Sequence, residues 1–177
     1  MIQTHDHGDV RELRLDRPPA NALSPELIAA LRTAVEAAPA EGARALVLSG
    51  APGRFSGGLD VPHLITLDRS AILAAWRSFY ELLRALAASP IPIAAAITGH
   101  APAGGTVLAI FCDARIMAEG DFKIGLNEVQ VGIPMPPVLF QALRRLVGAG
   151  QAERLCVTSR LLLPAEAREI GLVNEVV

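Results

Sequence analysis

The spacing of apolar positions divides the chain into short extended runs alternating with longer helical ones. Val10 to Leu15 reads as a strand, closed by the breaker Asp16-Arg17-Pro18-Pro19. A helix follows, with Ser24 as N-cap, Pro25 at the first helical position and Glu26 in the first turn; Leu27, Ile28, Leu31 and Val35 recur at helical spacing until Pro39. Ala45 to Leu48 is a buried strand, ended by Ser49-Gly50 and followed by a glycine-rich loop to Asp60. Ile72 to Leu86 predicts a long amphipathic helix, and Arg77, Glu81 and Arg84 within it argue against a membrane span. A second buried strand is expected over Ile91 to Ile97, with Pro92 at its start. Beyond it come a helix opened by Gly104 and Gly105, a strand over Ala114 to Met117 and an irregular stretch from Asp121 to Pro137. Helices over Val138 to Val147 and Gln151 to Thr158, one from Ala165, and an extended Leu172 to Val177 complete the pattern. Strand and helix in alternation, with continuously apolar strands, predict an α/β fold with a mainly parallel sheet flanked by helices.

Composition narrows the function classes. A length of 177 residues fits one domain, and 51% hydrophobic residues with a mean hydropathy of +0.38 supply a core and argue against disorder. The formal charge is −2 and the sequence pI near 6.1, so no basic excess draws the chain to nucleic acid or an anionic membrane, and neither is expected as a partner. Cys112 and Cys156 are too few for a disulfide framework or a zinc site, and no His, Cys and carboxylate set has metal-ligand spacing. A reducing, cytoplasmic compartment is the simplest expectation. The N-terminus, MIQTHDHGDVRELRLDRP, with Asp6, Asp9 and Glu12, fits neither a signal nor a transit peptide. At 4% aromatic residues, binding by ring stacking is not indicated.

Two features carry chemistry. Gly104 and Gly105 open the apolar run Thr106 to Phe111, so their N–H groups are expected at the positive end of a helix, where a developing oxyanion is stabilised. Glu128 is the sole ionisable side chain in Leu126 to Val131, which makes it a candidate general base raised by desolvation. The plainer readings are a solvated loop carboxylate for Glu128 and a tight turn or helix–sheet packing for the glycines. His100 is expected as a loop histidine with a structural hydrogen bond, Cys112 as core, and Asp113 as a cap or salt bridge at the end of the glycine helix.

Three blocks in order resemble the enoyl-CoA hydratase/isomerase (crotonase) superfamily over nearly the whole chain. Pro18 to Leu31 is similar to its R-P-x-x-N-A-L-S segment, with Asn21, Ala22, Leu23 and Ser24 in place. Phe55-Ser56-Gly57-Gly58-Leu59-Asp60 is similar to its F-S-x-G-x-D loop. The third block is the Thr98 to Ile133 segment that holds both chemical features.

The resemblance implies a ClpP/crotonase-like spiral of ββα units and an acyl-CoA thioester substrate in fatty acid β-oxidation, with coenzyme A part of the substrate and no separate cofactor. It further implies an oxyanion hole from the backbone N–H groups of Leu59 and Gly104, and a CoA-binding region at Ser56, Gly57, Gly58, Asp60 and Gly105. Ile124 to Ile133, I-G-L-N-E-x-Q-x-G-I, is similar to the Δ3,Δ2-enoyl-CoA isomerase branch, in which the glutamate, here Glu128, moves a proton between C2 and C4. The hydratase branch adds a second glutamate where this chain has Val107. A lone carboxylate suits a 1,3-proton shift better than water addition. Hydration, another crotonase-type reaction such as hydrolysis, and a non-catalytic acyl-CoA-binding or assembly subunit stay as alternatives. Thr106 after the glycines and the lack of a G-x-S-x-G elbow disfavour a serine hydrolase. Pocket walls are expected near Ile65, Trp76 and Ile133. Family members usually continue past the segment matching Gly171 to Val177 through helices that cover the acyl pocket and build a trimer. Residues 1–177 are therefore expected to be a single core domain without that helical region, with a homotrimer or dimer of trimers as the family's assembly.

Overall fold

One order of elements occurs three times: a strand of a large sheet, a short strand of a small sheet, then a helix. The computed structural model describes residues 1–177. Ile2–His7 (β1) and Val10–Leu15 (β2) form an antiparallel hairpin with Ile2 opposite Leu15. The helix α1 (Pro25–Ala37) leads to the first unit, β3 (Ala45–Ser49), β4 (Gly53–Arg54), the one-turn α2 (Val61–Leu64) and the long α3 (Arg69–Ala87). The second is β5 (Ile93–Ile97), β6 (Gly99–Pro102) and α4 (Gly104–Ile110). The third is β7 (Ala114–Met117), β8 (Ile124–Gly125), a 3-10 turn over Glu128–Val131 and α5 (Pro137–Val147). Helices α6 (Ala149–Thr158) and α7 (Pro164–Glu169) then precede β9 (Glu175–Val176).

The large sheet has the order β1-β2-β3-β5-β7-β9 and is parallel from β2 onward; the small one is β4-β6-β8, also parallel. Stepping between the two sheets before each helix generates the expected ββα spiral. In β5 the larger Ile93 and Ile97 and the small Ala95 are buried on one face, as a strand period of two requires. Helix α1 lays Leu27, Ile28 and Leu31 into the core, and α3 adds Phe79, Leu82 and Leu86. Ser24 does cap α1, accepting the Leu27 N–H at 3.3 Å, with Pro25 pre-set for the first turn.

The differences from the expected elements are instructive. Strand β1 has no apolar alternation: only Ile2 packs against the core, and the strand exists through its ladder with β2. Helix α3 starts at Arg69, ahead of its apolar run, because Asp68 accepts the Ala71 N–H at 2.8 Å. The stretch read as irregular contains β8 and the 3-10 turn. Asp113 neither caps α4 nor forms a salt bridge. Its Oδ2 accepts the Ile93 N–H at 2.8 Å while its own N–H donates to the Ile93 carbonyl at 2.8 Å, fastening the start of β7 to the start of β5. No helix is long and apolar enough to cross a membrane.

Candidate active site

The loop after β4 and the start of α4 meet backbone to backbone. Leu59 bridges to Leu23 in parallel fashion: the Leu23 N–H donates to the Gly58 carbonyl at 2.8 Å, and the Asp60 N–H donates to the Leu23 carbonyl at 3.2 Å. In such a pairing successive residues point opposite ways, so the Leu59 N–H faces away from Leu23 and donates to no backbone carbonyl. Gly104 is the first residue of α4, and its N–H is one of the orphans of a helix start. The two amides are neighbours. A methyl carbon on Gly104 would lie 3.1 Å from Leu59 N and 3.0 Å from Gly58 Cα, and one on Gly58 would lie 2.9 Å from Gly104 N. Only residues without Cβ allow this approach. Ala103, just before them, sits at φ 48 and ψ −120, a conformation that favours glycine.

Glu128 opens the 3-10 turn and is 8% exposed. Its Oε2 is buried without a hydrogen-bond partner, and no cationic side chain pairs with it. Burial therefore pushes its pKa up from the usual glutamate value. Its charge in turn adds to the burial that raises the Cys156 thiol. The turn is held by the Ile133 N–H donating to the Glu128 carbonyl at 3.0 Å and by Gln130 Nε2 donating to the Ser159 carbonyl at 3.2 Å.

One cavity of about 180 Å³ joins these groups. Leu59, Gly104, Glu128 and Gly57 all line it, and Glu128 is its one ionisable side chain. Trp76 and Ile133 also line it, as expected. Ile65 does not; it is 75% exposed, because the one-turn α2 turns it away. Val107, at the place of the hydratase branch's second acid, presents an apolar wall.

Four of the residues expected to touch CoA lie outside this cavity. Ser56 is fully buried; its hydroxyl donates to the Asn21 carbonyl at 2.8 Å and accepts the Gly58 N–H at 3.2 Å, so it shapes the loop. Asp60 accepts the His63 N–H at 3.2 Å as the cap of α2 and Arg17 Nη2 at 2.6 Å. Gly105 packs on Ser56, where a methyl carbon would stand 2.3 Å from the carbonyl oxygen, and Gly58 makes room for Gly104. His100 lies in β6 opposite Arg54 rather than in a loop as expected; it is exposed and accepts the Lys123 N–H at 3.2 Å through Nδ1, the structural hydrogen bond expected of it. Cys112 is core, its thiol pushed up to about 12 by burial.

Sequence reading passed over Phe79, Val61, Leu139 and Asn127 in the cavity wall and Arg17 behind Asp60. Phe79 was within reach, standing three residues after Trp76 on the same face of α3. Asn127 adds a second unpartnered buried oxygen, Oδ1, beside Glu128. No group of three or more His, Cys, Asp or Glu side chains is placed to hold a metal ion.

A buried acid that shares an apolar cavity with two unpaired amides can take a proton from carbon while the amides hold the resulting oxyanion. Residues 6–177 match the enoyl-CoA hydratase/isomerase family. The mitochondrial enoyl-CoA delta isomerase 1 of Homo sapiens is 36% identical over 100% of this chain and 60% of its own length. A probable enoyl-CoA hydratase of Mycobacterium avium (strain 104) is 36% identical over 93% of the chain and 64% of its own. The crystal structure of human mitochondrial delta3-delta2-enoyl-CoA isomerase superimposes with a TM-score of 0.96 at 34% identity, covering 99% of this chain and 70% of that one. The chain thus spans 60 to 64% of the length of these curated relatives.

Proposed function

The chain belongs to the enoyl-CoA hydratase/isomerase family, and on that premise we propose that it acts as a Δ3,Δ2-enoyl-CoA isomerase. The observation that carries this reading is the single acid: Glu128 alone is ionisable in the cavity wall, and Val107 supplies no second carboxylate for water.

In the proposed reaction the thioester carbonyl of a 3-enoyl-CoA accepts hydrogen bonds from the Leu59 and Gly104 N–H groups. The Glu128 carboxylate removes a proton from C2, and the electron pair of that C–H bond delocalises onto the carbonyl oxygen as a dienolate. The protonated Glu128 then delivers the same proton to C4 as the double bond forms between C2 and C3. The proton never leaves the site, so no co-reactant is needed. Preorganised donors at the oxygen contribute most, and each is worth about 2.7–4 kcal/mol of transition-state stabilisation. Carboxylate acid/base catalysis adds roughly 10²–10⁴-fold.

The test incubates the protein with a 3-enoyl-CoA and, separately, a 2-enoyl-CoA, and follows both by chromatography, with Glu128→Gln alongside. Conversion of the 3-enoyl to the 2-enoyl thioester, lost in the variant by about 10²–10⁴-fold, is the expected result. A 3-hydroxyacyl product would favour the hydratase reading, free CoA would favour hydrolysis, and binding without turnover would favour a non-catalytic acyl-CoA-binding subunit.

A further inference from the structure

The aromatic side of the site separates two voids. On one side of Leu59, Trp76 and Phe79 lies the cavity of about 180 Å³ that holds Glu128. Adjoining the same three side chains is a second void of about 10 Å³, whose remaining walls are Ile28, Leu64 and Ala75. Every side chain lining this void is apolar, and its size is at the limit for one water. The partition is not uniform. Phe79 is 2% exposed and belongs to the core, whereas Trp76 is half-buried, edge-on to Phe79 at 6.2 Å between ring centroids and stacked on Tyr80 at 6.1 Å.

We propose that Trp76 sets the acyl chain length this site accepts, its indole standing across the way toward the second void. The inference rests on the reading of the cavity as an acyl-thioester site. Trp76 and Phe79 form the α3 side of the cavity wall, and the second void adjoins the same two rings. A chain that extends in that direction meets the indole. An acyl chain ending in a second carboxylate is disfavoured for another reason: the one ionisable group in the wall is Glu128, an acid, and no cationic side chain compensates a second anion. Removing the indole merges the two voids and extends the path toward Leu64 and Ala75, while the Leu59 and Gly104 amides and Glu128 keep their places.

Saturated acyl-CoAs, which cannot isomerise, report the pocket independently of turnover. Affinities of butanoyl-, hexanoyl-, octanoyl- and decanoyl-CoA are measured by calorimetry for the unaltered protein, Trp76→Ala and the milder Trp76→Phe, each checked for folding by circular dichroism. Each methylene that enters apolar surroundings is worth about fourfold in affinity. The unaltered protein is expected to stop gaining at a shorter chain than Trp76→Ala does. Trp76→Ala is expected to keep gaining through eight and ten, by tenfold or more at decanoyl-CoA, with Trp76→Phe between. If Trp76→Ala fails to fold, Trp76→Phe carries the comparison through its gain at octanoyl-CoA. The same gain per carbon through ten in all three proteins, or no length dependence in any, overturns the inference and leaves the acyl-CoA reading intact. No binding of any thioester by the unaltered protein overturns that reading, and the inference with it.

Discussion

In the proposed isomerase reaction Glu128 serves two opposed requirements. A base that abstracts a proton from carbon must be ionised, yet the protein buries it without a cation or a hydrogen bond on Oε2. Its pKa is raised in the folded state, so the native protein binds the proton more tightly than the unfolded chain. The stability associated with the neutral acid is complete below the ordinary value of 4.5 and is lost as pH rises through the raised folded value. Glu128→Gln should therefore raise the melting temperature at pH 7 and leave it unchanged near pH 3 while abolishing turnover, a split that thermal scans at the two pH values would expose. The acid limb of the kcat/KM profile should lie above the usual glutamate range for the same reason. The proposed oxyanion side answers to sterics rather than charge: Gly104→Ala puts a methyl carbon 3.1 Å from Leu59 N. It should cost about 10²–10³-fold in kcat with a smaller effect on thioester affinity, measured by steady-state kinetics beside calorimetry.

Elements explain why some of this was legible and some was not. Helix α1 was readable to its cap, because Ser24, Pro25 and the Leu27, Ile28, Leu31, Val35 stripe all state the same thing locally. Glu128 was readable because a lone carboxylate in an apolar stretch is itself a local signal. The structural partners of Ser56, Asp60 and Gly105 were not, since each lies far along the chain: Asn21, Arg17 and Ser56 in turn. Strand β1 escaped because pairing alone sustains it, and Asp113 because its partner is the N–H of Ile93 in another strand. At the head of α4, Ala103 occupies φ 48 although a side chain is disfavoured there. Strain of about 1–3 kcal/mol outweighs the roughly 0.4–1 kcal/mol that glycine loses through unfolded-chain entropy. Ala103→Gly should thus stabilise the protein by on the order of 1 kcal/mol, seen as a higher denaturant midpoint at unchanged m value.

Across the whole molecule, the large sheet takes a member, β9, from far beyond the strand it pairs with. Arg115 on β7 is 4% exposed; Nε donates to the Leu172 carbonyl and Nη1 to the Cys112 carbonyl, each at 2.9 Å, and the Arg115 N–H donates to Asn174 Oδ1 at 2.8 Å. With no carboxylate opposite, the guanidinium acts as a clip for backbone oxygens. Arg115→Ala should cost on the order of 3 kcal/mol for the two charged hydrogen bonds. It should also speed amide hydrogen exchange in residues 172–177 well before it does so in β3 and β5, as mass spectrometry of exchanged peptides would resolve. The same clip has a bearing on synthesis. Asn174 is 59 residues beyond Arg115, so at roughly 5–20 residues per second a ribosome takes about 3 to 12 s to deliver the partner of β7 after β7 itself is made. Throughout that interval the nascent sheet presents Ile116 and Met117 on an unpaired edge, the surface on which two nascent copies would pair, and slow translation of residues 118–177 is a hazard that a chaperone holding this edge would relieve.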